Sequence, residues 1–127
     1  MKILIIDDDI NATITFKVLL SSQGNIEVDV AHSGKEGLSK MMAADPIYDF
    51  LILDVMMSDF SGLDVCKAMS TDEKLKSIPI ILASALPITS KELRNLLNEF
   101  KTFGLIKGAL EKPFVIEDLL AIINKTE

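Results

Sequence analysis

The sequence predicts an α/β domain: a doubly wound, five-stranded parallel sheet in the order 2-1-3-4-5, with five helices on its two faces. Three observations predict it. Short continuous apolar runs, suited to strands buried on both sides, alternate with longer segments that carry apolar residues at helical spacing. The second and fifth runs are the least apolar, which assigns them to the edges and leaves the first, third and fourth in the middle. Right-handed crossovers leave few topologies, and this order satisfies them.

Length and composition agree. The chain has 127 residues, enough for one domain with a core of ordinary size. It is 49% hydrophobic and 25% charged, the balance of a globular chain and not of a disordered one. A net charge of -6 argues against a nucleic-acid-binding surface, which needs clustered Lys and Arg. No apolar run approaches the roughly 20 residues of a membrane helix. The N-terminus, MKILIIDDD, turns acidic too soon for a secretory signal. The single cysteine, Cys66, cannot form an intramolecular disulfide, which fits a reducing cytoplasm. No repeat, low-complexity segment or linker interrupts the chain, so residues 1–127 are expected to be one domain without a separate output domain.

The elements follow in order. ILII (3–6) is the first strand, and Asp7, Asp8 and Asp9 come directly after it. Ile10, Ile14 and Val18, at spacing four, with Phe16, Leu19 and Leu20 beside them, give the first helix its apolar face; Gln23-Gly24 stops it. IEVDV (26–30) alternates, as a strand with one wet face does. Ser33 and Glu36 have the spacing of a capping box, Leu38, Met41 and Met42 form the buried stripe of the second helix, and Asp45-Pro46 ends it. Phe50 to Leu53 make the third strand, which closes on Asp54. After the loop MMSDFSG, Ser61 and Asp64 fit a second capping box, with Leu63, Cys66 and Met69 inward on the third helix. IPIILA (78–83) is the fourth strand and runs into Ser84. Thr89 and Glu92 fit a third box, followed by Leu93, Leu96, Leu97 and Phe100 on one helical face. LIKGAL (105–110) is a fifth strand weakened by its glycine. After Lys112-Pro113, a last helix buries Ile116, Leu119, Leu120 and Ile123.

This is the order of flavodoxin-like sheets, which build their sites at the carboxyl ends of the strands beside the switch point, here between strands one and three. Asp7 and Asp8 then face Asp54, while Ser84 ends strand four and Lys112 ends strand five. Each has an ordinary structural reading too. Asp54 fits a turn cap, Asp9 the N-cap of the first helix, Asp7 and Asp8 a solvated acidic turn, Ser84 a turn residue and Lys112 a surface charge beside a proline. Convergence of four strand ends on one rim favours a site. Carboxylates packed within a few ångströms repel unless a cation relieves them. A set without His or Cys suits a hard, oxygen-seeking ion such as Mg²⁺. A carboxylate can attack phosphorus and hold an aspartyl phosphate, whose oxygens need a metal on one side and an ammonium and a hydroxyl on the other. His32 reads as a loop histidine, and the Met pairs 41–42 and 56–57 as core and loop filler.

On these residues the chain resembles the response-regulator receiver domains of two-component signalling, in the manner of the chemotaxis regulators and over essentially its whole length. The motifs are ILIIDDD, DFLILDVMM with Gly62 eight residues after Asp54, IPIILASA, and LEKPF at 110–114. The resemblance implies that Asp54 is the phosphoacceptor. It implies that Asp7 and Asp8, with Asp54 and the backbone carbonyl of Met56, hold Mg²⁺. Ser84 would be the switch hydroxyl, the Ala85 amide and Lys112 would bind the phosphoryl group, and the Lys112–Pro113 bond would be cis. The phosphodonor would be a sensor histidine kinase or a histidine phosphotransfer protein. A downstream protein would read the face made by the fourth helix, fifth strand and fifth helix. Such a domain is no enzyme beyond its own phosphorylation and dephosphorylation.

The chain departs from the family at several places. Ser58 stands where a proline is common, and Ser84 replaces the commoner Thr while keeping the hydroxyl. Ala109 stands where a Tyr or Phe ring usually follows the movement of the hydroxyl residue, and the segment from Ser84 to Lys112 is longer than usual. Met56 and Leu86, where the family tunes access of the hydrolytic water, are both apolar, which predicts a long-lived aspartyl phosphate; the alternative reading is that the two simply pack on each other. A polar amide at Met56 that failed to speed dephosphorylation would count against the long lifetime. Two other functions use less of the sequence. In a phosphatase of the haloacid dehalogenase type, Asp7 would be the nucleophile; that class needs a later acidic pair, for which only Glu117-Asp118 is present, and it leaves Asp54 idle. In a receiver-like module that is not phosphorylated, Ala109 fits, while the intact set Asp7, Asp8, Asp54 and Lys112 does not.

Overall fold

A computed structural model describes residues 1–55, 57, 62–87 and 89–126. The apolar runs form strands β1 (Lys2–Ile6), β2 (Glu27–Ala31), β3 (Phe50–Asp54), β4 (Ile80–Ser84) and β5 (Ile106–Glu111). All pairings are parallel, and the order is β2-β1-β3-β4-β5. Between them run helices α1 (Ile10–Ser21), α2 (Gly34–Ala43), α3 (Gly62–Ser70), α4 (Lys91–Lys101) and α5 (Ile116–Thr126). β3 and β4 are buried at every position, whereas the edge strands β2 and β5 are buried only in part. The two-residue period of the strands divides the core. Leu4, Ile6, Leu51, Leu53, Ile80 and Leu82 pack with Met41, Val65, Met69 and Phe100 from α2, α3 and α4. Ile3, Ile5, Phe50, Ile52, Ile81 and Ala83 pack with Leu20, Leu119 and Ile123 from α1 and α5.

α1 differs from its expected orientation. Ile10, Ile14 and Val18 are 57%, 56% and 64% exposed, and Leu19 is exposed as well. Thr13, Phe16 and Leu20 face the sheet instead. Thr13 can lie fully buried because its hydroxyl donates to the Ile10 carbonyl at 2.7 Å, satisfying itself within its own helix. Phe16 stacks on Phe114, with ring centroids 4.5 Å apart. On α2, Met42 is exposed while Met41 is buried, because Gly34 and Gly37 share the inner face with Met41. At Gly37 the helix lies so close to β1 that a Cβ would sit 2.2 Å from Ile6 Cδ1.

Capping is largely as expected. Ser33 Oγ accepts from the Glu36 amide at 3.1 Å, while Glu36 Oε1 reaches back to the His32 amide at 2.6 Å. α4 is capped by Ser90, not Thr89: Ser90 Oγ accepts from the Leu93 amide at 3.1 Å. The Ser61 cap lies outside the described residues. The weak fifth strand carries a bulge: Ile80 pairs with Ile106 and Ile81 with Gly108, which leaves Lys107 as the extra residue. The Lys112–Pro113 bond is cis, and so is Asp45–Pro46.

Candidate functional site

The site forms where the parallel strands end. Asp7 is the first residue beyond β1, and its amide continues the ladder by donating to the Ala31 carbonyl at 3.0 Å. Asp54 is the last residue of β3, paired in register with Ala83 of β4. Both carboxylates are buried, whereas Asp8 is exposed at the rim. One carboxylate oxygen from each of Asp7, Asp8 and Asp54 lies within 4.8 Å of the others. Asp7 Oδ1 accepts from the Asp9 amide at 2.9 Å, and Asp7 Oδ2 accepts from Lys112 Nζ at 2.5 Å. Lys112 Nζ is also 3.4 Å from Asp54 Oδ1. The backbone holds this lysine in place: its amide donates to the Ser84 carbonyl at 2.7 Å, one rung past the end of β5. Burial works against the Lys112 proton, but the hydrogen bond to Asp7 and the charge of Asp54 outweigh it and hold the ammonium above the usual lysine range.

Ser84 is buried at the end of β4, and its Oγ accepts from the Leu86 amide at 2.9 Å. Ala85 follows at the surface, and Leu86 is half-buried. Ala109 pairs with Leu82 and packs, half-buried, on the α4 side of the sheet. Met56 and Ser58 lie outside the described residues. Asp9 takes the structural role open to it: its side chain caps α1 by accepting from the Ala12 amide at 3.2 Å. His32 is more than a loop residue. Its Nε2 lies 3.0 Å from Thr13 Oγ1, a hydrogen bond that ties the end of β2 to α1. The acidic pair Glu117-Asp118 sits in the first turn of α5, and the carboxylate cluster takes Asp54 as its third member.

The exposed face of α1 was not anticipated. Beside it runs a groove of about 550 Å³ whose walls include Asp9, Ala12, Phe16, Leu19, Lys112 and Phe114. Ile10, Ile14 and Val18 stand on the helix that forms one wall, and Val115 is exposed next to Phe114. The signal was present in the spacing-four repeat; what was absent was any local indication of which way the repeat turns.

The residues present fit a divalent metal. Three carboxylates against one ammonium leave two negative charges, the charge of one such cation, and two of the carboxylates are buried. An all-oxygen donor set suits a hard ion.

Comparison with known proteins agrees with this geometry. The family model described as the response regulator receiver domain matches residues 3–124. Response regulator ArlR of Staphylococcus saprophyticus is 34% identical over 126 residues, covering 97% of this chain and 50% of that protein. Response regulator MprA of Mycobacterium avium is 37% identical over 125 residues, covering 95% of this chain and 48% of that protein. The chain thus spans about half the length of the curated relatives it matches. Among solved structures, the Vibrio cholerae chemotaxis protein CheY4 superposes with a TM-score of 0.84 at 32% identity, covering 99% of this chain and 98% of that one. Thermotoga maritima TrrA, solved in complex with Mg²⁺-BeF, superposes with a TM-score of 0.78 at 29% identity, covering 99% and 98%. A match over nearly the whole chain, on a sheet of the same order and with the acids, hydroxyl and lysine at its carboxyl rim, leaves one assignment: the chain belongs to the response regulator receiver domains of two-component signalling.

Proposed function

We propose that residues 1–127 act as one phosphoacceptor unit in which Asp54 takes a phosphoryl group from a phosphohistidine, and that Asp7, Asp8, Asp54 and the Met56 carbonyl hold Mg²⁺. The observation that carries this reading is the position of Lys112, whose ammonium bridges Asp7 and Asp54 at 2.5 and 3.4 Å inside the carboxylate cluster. The Asp54 carboxylate attacks phosphorus; a P–O bond forms, the P–N bond breaks, and its electron pair leaves on the imidazole nitrogen. When bound, Mg²⁺ supplies positive charge to the phosphoryl oxygens; the Mg²⁺-BeF complex of TrrA supports that choice of ion. Lys112 neutralises a second oxygen, and the Ser84 hydroxyl and the Ala85 amide donate to the third. Receiver domains are signalling domains, so catalysis extends only to the domain's own phosphorylation and its reversal.

The donor is a histidine kinase or a histidine phosphotransfer protein. It docks on α1, where Ile10, Ile14 and Val18 are exposed and where Ala12, Phe16 and Leu19 line a groove that reaches Lys112. The added charge on Asp54 then shifts a two-state equilibrium that a downstream protein reads on the α4/β5/α5 face. Among the described residues, no helix is long and apolar enough to cross a membrane; we place the domain in the cytoplasm. With Leu86 half-buried and apolar beside Ser84, the aspartyl phosphate is long-lived. Labelling with acetyl phosphate and Mg²⁺ tests the reading. A base-labile adduct on Asp54, absent from Asp54→Asn, is expected; label on Asp7, or no adduct with any donor, would overturn it.

A further inference from the structure

Ala109 leaves the α4 side of β5 without a ring, yet a ring does contact the segment that follows the phosphoacceptor. It belongs to Phe100, one of the two fully buried side chains of α4 and among the largest in the core. At Gly62, which opens α3, a Cβ would lie 3.2 Å from Phe100 Cζ and 3.0 Å from the Asp54 carbonyl oxygen. Gly62 therefore sits between the backbone of Asp54 on one side and the Phe100 ring on the other, and a methyl group there would press on both. α4 itself is held lightly. Of its eleven residues only Leu93 and Phe100 are buried, with Leu96 and Leu97 half-buried between them.

We infer that Phe100 couples Asp54 to α4: a shift of the Asp54 backbone on phosphorylation moves Gly62, and Gly62 displaces the ring and the helix that carries it. The inference rests on Asp54 being the phosphoacceptor. The physical basis is steric. Closely packed groups pass sub-ångström shifts onward instead of absorbing them, and a helix with only two fully buried side chains is the element that yields. The coupling is reciprocal, so a protein bound to α4 changes the affinity of Asp54 for a phosphoryl mimic. In this chain an aromatic on α4 then does the work for which Ala109 has no ring.

The experiment is amide NMR of the whole chain, titrated with Mg²⁺ and beryllium fluoride. In the wild type, the Leu53 amide in β3 and the Arg94, Asn95 and Asn98 amides in α4 are expected to shift together. In Phe100→Leu the β3 shift should persist while the α4 shifts fall by more than half. Undiminished α4 shifts in Phe100→Leu would overturn the inference, as would a silent α4 in a wild type whose β3 responds. A wild type silent at both places would remove the phosphoacceptor reading and this inference with it. Should Phe100→Leu fail to fold, Gly62→Ala presses on the same contact from the other side. It is expected to shift the α4 amides with no ligand present, and unmoved amides would be equally decisive against the coupling.

Discussion

Replacing Lys112 with methionine keeps most of the side-chain volume and removes only the ammonium. Its cost follows from the geometry. At an effective dielectric constant of about 20, the attraction to Asp7 at 2.5 Å is about 7 kcal/mol and that to Asp54 at 3.4 Å about 5 kcal/mol, before desolvation. Burying the lysine offsets most of this, so the pair itself adds little net stability. Removing one member leaves two buried carboxylates facing an exposed third with nothing between them, a loss of about 3–5 kcal/mol. The lysine side chain is 18% exposed, which places the expectation at the lower end, about 3 kcal/mol and roughly 10 °C in Tm. The same excess of negative charge sharpens the response to metal. A tenfold tighter site for Mg²⁺ in Lys112→Met would return about 1.4 kcal/mol at saturating metal. With no tryptophan and a single tyrosine, the chain is best followed by far-UV circular dichroism during urea unfolding, with and without Mg²⁺. A cost below about 1 kcal/mol, or a Mg²⁺ response equal to that of the wild type, would refute the view that Lys112 neutralises the cluster.

Gly37→Ala should destabilise by about 1–2 kcal/mol, because overpacking against Ile6 outweighs the gain in helix propensity. Ile6→Val, which deletes the clashing Cδ1, should recover part of that loss, and strict additivity in the double mutant would contradict the contact. Ile14→Lys and Val18→Lys should change stability by less than about 0.5 kcal/mol, since both side chains are exposed; they should slow transfer from a protein donor while leaving labelling by acetyl phosphate unchanged. Stability should decline above pH 9. Burial pushes the Cys66 thiol up to about 12, burial and the hydrogen bond to Asp29 raise Tyr48, and Lys112 is raised as described. Each holds its proton to higher pH when folded than when unfolded, so its contribution is whole at neutral pH and is lost as the unfolded chain deprotonates. Cys66→Ala should flatten the slope between pH 9 and 12 by up to about 1.4 kcal/mol per unit; an unchanged slope in urea titrations would count against the buried thiol.

The middle of the sheet was legible because a strand covered on both faces must be apolar at every position, as β3 and β4 are up to their terminal Asp54 and Ser84. Once the strand order followed, so did the meeting of Asp7, Asp54 and Lys112, because each stands at a strand end. α1 was not legible in the same way. The repeat of Ile10, Ile14 and Val18 states that a helix has an apolar face, but not that this face turns to the sheet. What turns α1 is the stacking of Phe16 on Phe114 and a threonine whose hydroxyl is satisfied within the helix, and neither leaves a local pattern. Phe100 was read correctly as core, yet its contact with Gly62 spans two helices and a loop, and periodicity carries no such distance.

The bulge at Lys107 has a consequence for timing. β5 is an edge strand, half-wet and out of step with its neighbour at that residue, and the lysine that completes the site is attached to its far end. Edge strands of this kind open locally far more often than the whole molecule unfolds. Each opening would carry Lys112 away from Asp7 and Asp54, so the fraction of time the domain stands ready for transfer is set by the fraying of one strand and not by global stability. Amide hydrogen exchange at Gly108 and Leu110 measures that fraction directly, and a chain with slow exchange there is a chain always ready to react.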